Sequence, residues 1–338
     1  MALVVLKFGG TSLANTKLMK NAVCKVIEEV ASGNEVIVVV SAMAGVTDHL
    51  VSLVGEITEC NNQYSSLEYA NVITTGEQVS AGLFALLLQQ DGIKARSWLG
   101  WQAGIVTDDN IVDGEIIELN CKPIIESFSQ GYQVAVVTGF QGITKDNRIS
   151  TLGRGGSDTT AIILAGALEA IKCDIYTDVE GVFTADPRIV AKAQKLESIN
   201  YDEMIELANA GAKVLQAKSV EWAKHYQVRL QVLSSFTNHS GTFIDNFSSH
   251  YIAGIAISKN IDEVYSKLDV ARITIIGTNV NDKNLLESLK ENLNYNAIDV
   301  LASSANTMSI SFIVKEEDKF EAIRFIHTIC ELDETFNI

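Results

Sequence analysis

Three glycines and an arginine lie within residues 151–160, directly before an apolar stretch with helical spacing. The glycines, which can adopt positive φ and let backbone N–H groups approach a ligand closely, are Gly153, Gly155 and Gly156. Arg154 carries a planar guanidinium suited to a carboxylate or a phosphate. Ser157 or Asp158 can cap the following helix, whose N-terminus favours anions. The segment therefore predicts a cradle for a small anion.

A second glycine turn follows the first apolar run, where KFGGTS begins at Lys7. Gly9 and Gly10 permit a close backbone approach to a phosphate, and Lys7 adds a mobile positive charge. Taken alone, this motif is explained more simply as a lysine flanking a strand and followed by a glycine turn, without a bound phosphate.

Two further turns carry polar groups. SAMAGVTD offers hydroxyls at Ser41 and Thr47 that suit a small polar substrate, and TTGE places Glu77 at the start of a predicted helix. A carboxylate at a helix N-terminus is favourable by itself, but it can also pair with a substrate ammonium group. Each turn alone is explained equally well by helix capping.

Residues 176–188 form a polar excursion that is too long to serve only as a connection. Thr177 and Asp178 stand at a predicted strand end, and Arg188 follows a proline, so the three could frame a nucleotide. Gly211 precedes Lys213, which we expect to open a helix and to offer a second lysine to phosphate.

Short β-branched runs alternate with longer helical patterns up to about residue 245. Predicted strands cover residues 3–8, 35–41, 95–99, 133–138, 173–177 and 229–234, and predicted helices cover 15–32, 77–90, 116–130, 158–170, 201–208 and 213–225. This alternation predicts an α/β domain with a mainly parallel sheet covered on both faces. Ligands of such sheets bind at the carboxyl ends of the strands, where the glycine turns fall.

Residues 245–250 are polar and are predicted to form a linker. Beyond them a strand (271–277), a helix (282–293), two strands (297–302 and 307–314) and a helix (319–330) predict βαββα. A final short strand would complete a ferredoxin-like α+β module, which usually packs with a like neighbour or binds a small ligand.

The net charge of -16 and the pI near 4.7 argue against nucleic acid or an anionic membrane as a partner, although a local basic pocket can still hold ATP. The five cysteines show no C-x-x-C spacing, which is typical of a reduced, cytoplasmic protein. The histidines form no cluster, so no zinc site is expected. No apolar run approaches the ~18 residues of a membrane span.

The order KFGGTS, SAMAGVT, TTGE, TLGRGGSD, TDVEGVFTADPR, GAKVL is highly specific, and with it the chain resembles aspartate kinase of the amino-acid kinase superfamily. The resemblance runs from Lys7 to about Ile244 and is weaker beyond. It implies a three-layer amino-acid-kinase domain at 1–245 and a single ACT-like module at 251–338. It also implies ATP-dependent phosphorylation of the L-aspartate side chain to 4-phospho-L-aspartate, the first step towards lysine, diaminopimelate, threonine and methionine.

The resemblance also assigns residues. The ATP phosphates fall to Lys7, Phe8, Gly9 and Gly10, and aspartate falls to Ser41, Thr47, Glu77, Arg154 and Ser157. The remaining nucleotide positions are Thr177, Asp178, Phe183, Arg188, Lys213 and Val214. Mg²⁺ is required and is carried chiefly by ATP, without a dense protein cage.

Aspartate has a side-chain pKa of about 3.9, so it is already an anionic nucleophile at neutral pH and needs no general base. The catalytic task is to bring two anions together and neutralise charge, which suits Lys7 and Lys213. We expect Asp158 to orient lysine or metal rather than to accept a proton.

Two departures from the family stand out. Gln216 and Ala217 replace a common His-Pro pair, outside the assigned contacts. About 90 residues follow the linker, room for one module where the family usually has two, and residues 277–284 lack the usual Pro-Gly effector loop. We therefore expect the module to serve a homodimer or higher homo-oligomer, with weak or absent feedback inhibition.

Two rival functions stay open. One is another amino-acid kinase, acting on glutamate, acetylglutamate or a nucleoside monophosphate. The other is a non-catalytic amino-acid-binding regulator, although that interpretation predicts loss of Lys7 and Lys213, and both are present.

Overall fold

The computed structural model describes residues 2–60, 62–247, 251–259, 265, 268–278, 280 and 282–333. The chain divides into two compact units, Met1–Glu180 with Trp222–Ser240 and Gly181–Glu221 with Gly241–Ile338. This division differs from the expected boundary near residue 245, because residues 181–221 group with the C-terminal region. The assignment of domains to 1–245 and 251–338 stays a prediction, and residues 248–250 of the expected linker lie outside the described residues.

The secondary structure alternates along most of the chain. Its described strands are β1 (Leu3–Phe8), β2 (Glu35–Val40), β3 (Ala95–Trp98), β4 (Ile105–Thr107), β5 (Ile116–Leu119), β6 (Val134–Thr138), β7 (Gln141–Thr144), β8 (Ile149–Thr151), β9 (Lys172–Thr177), β10 (Ser198–Asn200), β11 (Leu230–Ser234), β12 (Thr242–Asp245), β13 (Gly254–Ser258), β14 (Val270–Ile276), β15 (Ala302–Ala305) and β16 (Ser309–Lys315). The described helices are α1 (Thr16–Ala31), α2 (Val46–Gly55), α3 (Gln63–Ile73), α4 (Thr75–Gln90), α5 (Lys122–Ser129), α6 (Gly156–Ala167), α7 (Tyr201–Asn209), α8 (Ala217–Tyr226), α9 (Lys283–Tyr295) and α10 (Lys319–Ile329).

The first unit is built on a parallel sheet with strand order β11-β9-β1-β2-β6-β3. Helices α1 and α4 pack on one face, where Leu6 and Phe8 join Phe84 in the core. Helix α6 packs against β1, β2 and β9, and its Asp158 meets Lys7. Since successive residues of a strand face opposite sides, Lys7 lies on the face opposite to Phe8. The arrangement has three layers, and the predicted fold class is confirmed.

A smaller sheet of the first unit was not predicted. Its order is β5-β4-β7-β8, with antiparallel β4/β5 and β7/β8 pairs and a parallel β4/β7 pair. The helix predicted at 116–130 is therefore wrong over its first four residues, since Ile116–Leu119 forms β5. The helix of this segment is α5, with Pro123 in its first turn.

The second unit contains an antiparallel sheet with strand order β13-β14-β16-β15. The order β14-α9-β15-β16-α10 agrees with the predicted βαββα, although the strand predicted at 297–302 lies at Ala302–Ala305. β13 occupies the edge beside β14, and residues 334–338, where a final strand was expected, lie outside the described residues. The ACT assignment of this module stays a prediction.

Within the described residues, no helix combines the length and apolar character that crossing a membrane requires.

Candidate functional site

The turns after β1, β2 and β8 surround a pocket of about 340 Å³ in the first unit. The pocket brings together eight of the predicted catalytic and binding residues: Lys7, Gly10, Ser41, Thr47, Glu77, Arg154, Ser157 and Asp158. The predicted cradle glycines Gly153, Gly155 and Gly156 line it as well. It lies at the carboxyl ends of β1 and β2, as expected for a parallel sheet. Motifs as distant in the chain as those of Lys7 and Asp158 therefore line one cavity.

The Lys7 amine is held by an ion pair with Asp158. Lys7 Nζ lies 2.7 Å from Asp158 Oδ1, and Lys7 is only 8% exposed. A Cβ added to Gly9 would lie 3.5 Å from the same Nζ, so the amine sits close to the glycine turn. The lysine therefore offers a fixed positive charge beside the backbone of Gly9 and Gly10.

The KFGG turn packs directly against the turn after β2. The Ala44 N–H donates to Gly10 O over 3.1 Å, and a Cβ on Gly10 would come within 2.8 Å of Ala42 O. Only glycine fits this approach without displacing backbone. The two turns are consequently held in a fixed relation to each other.

Glu77 is a buried carboxylate with one free oxygen. It lies in the first turn of α4 and is 4% exposed. The Ala42 N–H donates to Oε1 over 3.0 Å, whereas Oε2 has no hydrogen-bond partner in the described part of the chain. Burial raises the pKa of Glu77 to about 7, against the opposing effect of the Ala42 hydrogen bond. A cation entering the pocket would satisfy Oε2 and favour the charged form.

The N-terminus of α6 departs from the predicted cap. The cap residue is Gly155, and neither Ser157 nor Asp158 caps through its side chain, since both lie within the first turn. Positive φ occurs at Gly153 (70°) and Gly155 (77°) but not at Gly156, which is required instead by close packing. A Cβ on Gly156 would lie 2.9 Å from the Cβ of Leu152.

Arg154 and Ser157 differ in exposure. Arg154 is exposed, and its side chain makes no hydrogen bond or ion pair within the described residues. Ser157 is 9% exposed and lies against Gly139, where an added Cβ would be 2.5 Å from its Oγ. The guanidinium is thus free to bind an anion at the pocket, while the hydroxyl is fixed in its wall.

Phe8 is a core residue. Its ring is fully buried and stacks on Tyr176 and Phe84, with centroid distances of 4.8 and 5.7 Å. Any contact with a nucleotide is therefore limited to the Phe8 backbone. Thr177 and Asp178 follow at the end of β9, where Thr177 Oγ1 donates to Asp178 Oδ1 over 3.2 Å.

The other nucleotide candidates, Phe183, Arg188, Lys213 and Val214, belong to the second unit. Arg188 forks onto Asp186, with Nε donating to Oδ1 over 2.9 Å and Nη2 donating to Oδ2 over 2.7 Å. Mainly through these bonds, and also through the charge of Lys213, the pKa of Asp186 is lowered. Lys213 is exposed and precedes α8, so its prediction as a helix start is wrong.

Three further residues near these sites were not among the candidates predicted from the sequence. Phe140 lines the pocket with a left-handed φ of 70°, and a phenylalanine carries no signal for that conformation. Asp113 abuts the glycine loop, since a Cβ on Gly153 would lie 2.1 Å from its Oδ1. Asp186 is part of the predicted excursion and could have been noticed two residues before Arg188.

Among the described residues, no group of three or more His, Cys, Asp or Glu side chains is arranged to hold a metal ion.

Comparison with known proteins agrees with this geometry. Residues 2–234 match the amino acid kinase family. An aspartokinase of Geobacillus stearothermophilus is 42% identical over 341 residues, covering 97% of this chain and 80% of that protein. Aspartokinase 2 of Bacillus subtilis is 44% identical over 328 residues, covering 96% and 78%. The chain belongs to the amino acid kinase family and, within it, to the aspartokinases.

A solved structure shares the fold. E. coli aspartokinase III, in complex with aspartate and ADP, matches with a TM-score of 0.82 at 22% identity, covering 96% of this chain and 99% of that one. At this identity the likeness concerns the fold.

Proposed function

We propose that this protein transfers the γ-phosphoryl group of ATP to the side-chain carboxylate of L-aspartate, giving 4-phospho-L-aspartate and ADP. The observation that carries the proposal is the pocket's set of charges. It combines a buried carboxylate with a free oxygen (Glu77), a free guanidinium (Arg154) and a fixed ammonium at a glycine turn (Lys7). An amino acid and a phosphate together present the complementary charges. The relatives are named aspartokinases, and the E. coli enzyme binds aspartate and ADP.

Aspartate recognition falls to the residues of this pocket. The substrate ammonium would pair with Glu77 Oε2, the atom that lacks a partner among the described residues. Arg154 would take the α-carboxylate in a bidentate pair. Ser41, Thr47 and Ser157 supply hydroxyls in the pocket wall. These contacts leave the side-chain carboxylate of aspartate to face the phosphate.

The transfer itself calls for positioning and charge neutralisation. The substrate carboxylate is ionised at neutral pH, so no side chain needs to remove a proton. Lys7 would neutralise charge on the transferred group, together with backbone N–H groups of the Gly9–Gly10 turn. Asp158 keeps the lysine ammonium in place through the 2.7 Å ion pair. Mg²⁺ would arrive with the ATP phosphates and stabilise their charge.

The nucleotide would be held by the remaining family positions. Thr177 and Asp178 follow β9, and Phe183, Arg188, Lys213 and Val214 lie in the second unit. Lys213 supplies the second lysine for phosphate. These assignments come from the family pattern, and the exposure of Arg188 and Lys213 leaves both accessible to a ligand.

A hydroxamate assay tests the proposed reaction, because hydroxylamine traps acyl phosphates. We expect product with ATP and L-aspartate, and none with L-glutamate. ADP release should be absent with acetylglutamate or UMP as the acceptor. Product from one of these acceptors without product from aspartate would identify a different member of the family. No turnover with any acceptor, together with aspartate binding, would favour the regulator.

Two variants separate the two halves of the site. Lys7→Ala should lower kcat by at least about 100-fold, since it removes charge stabilisation that is needed in the transition state. Arg154→Ala should mainly raise the KM for aspartate, by about 10- to 100-fold, because a charged hydrogen-bonded pair is lost. Arg148→Ala is the matched control, because Arg148 pairs with Glu68 at the surface and does not line the pocket. Wild-type kinetics in both site variants would refute the assignment.

A further inference from the structure

The predicted excursion continues past Arg188, and its part in the second unit, residues 181–195, is built into the core of that unit. From this point 'the excursion' means residues 181–195. Ala185 and Val190 are buried and pack with Ile273, Phe312 and Ile323 of the C-terminal module. Two nucleotide positions of the family, Phe183 and Arg188, lie on this segment. The placement of those residues therefore depends on how the excursion is attached to the module.

Thr184 is the best-anchored residue of the excursion. It is fully buried, its N–H donates to Gln194 O over 2.9 Å, and its carbonyl accepts the Ile255 N–H over 2.8 Å. Its Oγ1 accepts the Gln194 N–H over 2.9 Å. The N–H, the carbonyl and the Oγ1 lone pair of Thr184 are thus all hydrogen-bonded. Its hydroxyl proton still requires an acceptor.

That acceptor is His327 of α10, which is also fully buried. Its Nε2 lies 2.9 Å from Thr184 Oγ1, and its Nδ1 lies 2.6 Å from Asp333 Oδ1. An ionised carboxylate only accepts, so Nδ1 carries a proton and donates to Asp333. In the neutral imidazole, Nε2 is then the acceptor for the threonine hydroxyl. Donors and acceptors match along the whole chain from Gln194 to Asp333.

Two further contacts join the same elements. Asp333 Oδ2 lies 3.2 Å from Lys192 Nζ, and Arg324 Nε donates to Ile189 O over 2.9 Å. Thr328 Oγ1 also donates to Asp333 over 3.1 Å. Helix α10 and the turn after it therefore hold the excursion near its start, its middle and its end.

We propose that His327 is a positioning residue for the nucleotide, acting through Thr184 on the neighbouring Phe183 and on Arg188. The inference rests on the proposed function, because that function makes the excursion part of the ATP site. Loss of the Thr184–His327 bond would leave a buried acceptor unsatisfied and let the excursion relax. Nucleotide binding would then have to restore the bound geometry, at a cost in affinity.

Thr184, His327 and Asp333 are hydrogen-bonded in the same order as the nucleophile, base and acid of a catalytic triad. Their burial excludes that role, since Thr184 and His327 are both 0% exposed and a substrate cannot reach the hydroxyl. The same geometry instead suits a rigid connection.

The experiment compares Thr184→Val with Thr184→Ser in the full chain. The valine variant keeps the shape but removes the hydroxyl, and we expect it to raise the KM for ATP and the Kd for Mg·ADP by about 5- to 20-fold. The KM for aspartate should stay within about twofold, because its candidate contacts lie in the first unit. The serine variant retains the hydroxyl and should recover nucleotide affinity to within about twofold of wild type.

Two further variants keep the test decisive. Thr274→Val is the matched control, because Thr274 is a buried residue of the same unit whose hydroxyl bonds Ser311 at 3.0 Å and makes no other hydrogen bond within the described residues. It should lower Tm as Thr184→Val does and leave nucleotide affinity unchanged. Asp333→Ala, at a partly exposed position, removes the acceptor that orients His327 and should weaken Mg·ADP binding in the same direction.

Mg·ADP binding is measured by calorimetry without turnover. The positioning role of His327 is therefore tested separately from the proposed reaction. If wild type binds Mg·ADP but forms no aspartyl hydroxamate, the proposed function fails, while the binding comparison still tests His327. If Thr184→Val binds Mg·ADP as wild type does, or no more weakly than Thr274→Val, the positioning role is overturned. An equal rise in both KM values would also overturn it, as that pattern indicates general loosening.

Discussion

The Glu77 carboxylate illustrates how a single residue can be kept ready for a ligand at a cost to the fold. One oxygen accepts the Ala42 N–H, and the other is buried without a partner in the part of the chain that the structure describes. A buried, half-satisfied carboxylate is unfavourable unless a cation reaches it. The site therefore favours binding of a positively charged group next to Glu77 even before substrate is present.

The same burial gives a pH dependence with a defined sign. The pKa of Glu77 is raised from 4.5 to about 7, so the folded protein retains this proton over a range where the unfolded chain has lost it. The contribution of Glu77 to stability therefore falls as pH rises from about 4.5 to about 7. Above pH 7, this change lowers the free energy of unfolding by roughly 3 kcal/mol relative to its value below pH 4.5, where Glu77 is protonated in both states.

We predict that the KM for aspartate rises as pH falls below about 7, approaching tenfold per unit, because the neutral acid cannot pair with the substrate ammonium. Glu77→Gln should raise the KM at pH 8 and abolish this dependence between pH 6 and 8. Its Tm relative to wild type should be higher at pH 8 than at pH 5, since no charge is buried. Steady-state kinetics and thermal unfolding across this range measure both effects.

Glu68→Gln is the control for Glu77, because Glu68 is exposed and pairs with Arg148 at the surface. It should leave the pH profile for aspartate unchanged. A Glu77→Gln enzyme with the wild-type profile would show that another group titrates.

At the scale of elements, the loop between β8 and α6 depends on glycines for two different reasons. Gly153 and Gly155 take left-handed φ, whereas Gly156 is needed for close packing against Leu152. A side chain at Gly153 would also meet the Asp113 carboxylate at 2.1 Å. The conformation of the loop that carries Arg154 is thus fixed by its own glycines and by the neighbouring segment that contains Asp113.

We predict that Gly153→Ala raises the KM for aspartate by about tenfold or more, because the loop must move to relieve the collision with Asp113. Gly33→Ala is the matched control, since Gly33 has a φ of 85° but nothing within 4 Å of an added Cβ. Both variants should lose about 1 kcal/mol of stability through left-handed alanine, and only Gly153→Ala should change the kinetics. Equal KM values in the two variants would show that the loop tolerates the displacement.

The strands that were predicted from the sequence differ in burial from β5, which was not. The strands β1, β2 and β6 are almost wholly buried, and their continuous apolar runs reveal them. β5 has two exposed residues among four, so its pattern merges with that of the helix that follows. Short strands of this kind are fixed by pairing with distant segments, which leaves little local signal.

The candidate site was predictable to a similar degree. Glycine turns, lysines and hydroxyls at strand ends were visible in the sequence, and eight of the predicted catalytic and binding residues line one pocket. The burial of the Phe8 ring, the left-handed φ of Phe140 and the Asp113 contact with the loop arise only from tertiary packing. The His327 network joins residues 143 positions apart and carries no local pattern at all.

At the scale of the whole molecule, each of the two compact units has a hydrophobic core built from described residues. One surrounds the parallel sheet, and the other lies in the second unit and includes parts of the excursion. The residues proposed for aspartate all belong to the first unit, and Phe183, Arg188 and Lys213 belong to the second. Assembly into a homo-oligomer through the C-terminal module stays a prediction.

This distribution predicts different protection patterns for the two ligands in hydrogen exchange. Saturating aspartate should slow exchange in peptides covering residues 41–48, 74–77 and 151–160, since binding stabilises only the folded state of the segments it contacts. Mg·ADP should slow exchange in the Lys7–Gly10 turn and in residues 181–190. Peptides from β14 and β16 serve as the internal reference, because neither ligand is proposed to touch them. At about 100 times Kd, each ligand should stabilise by roughly 2.7 kcal/mol, enough to slow exchange about 100-fold where opening requires dissociation. Aspartate protection that appeared in β14 or β16 but not in residues 151–160 would place the amino-acid site in the C-terminal module and contradict the pocket assignment.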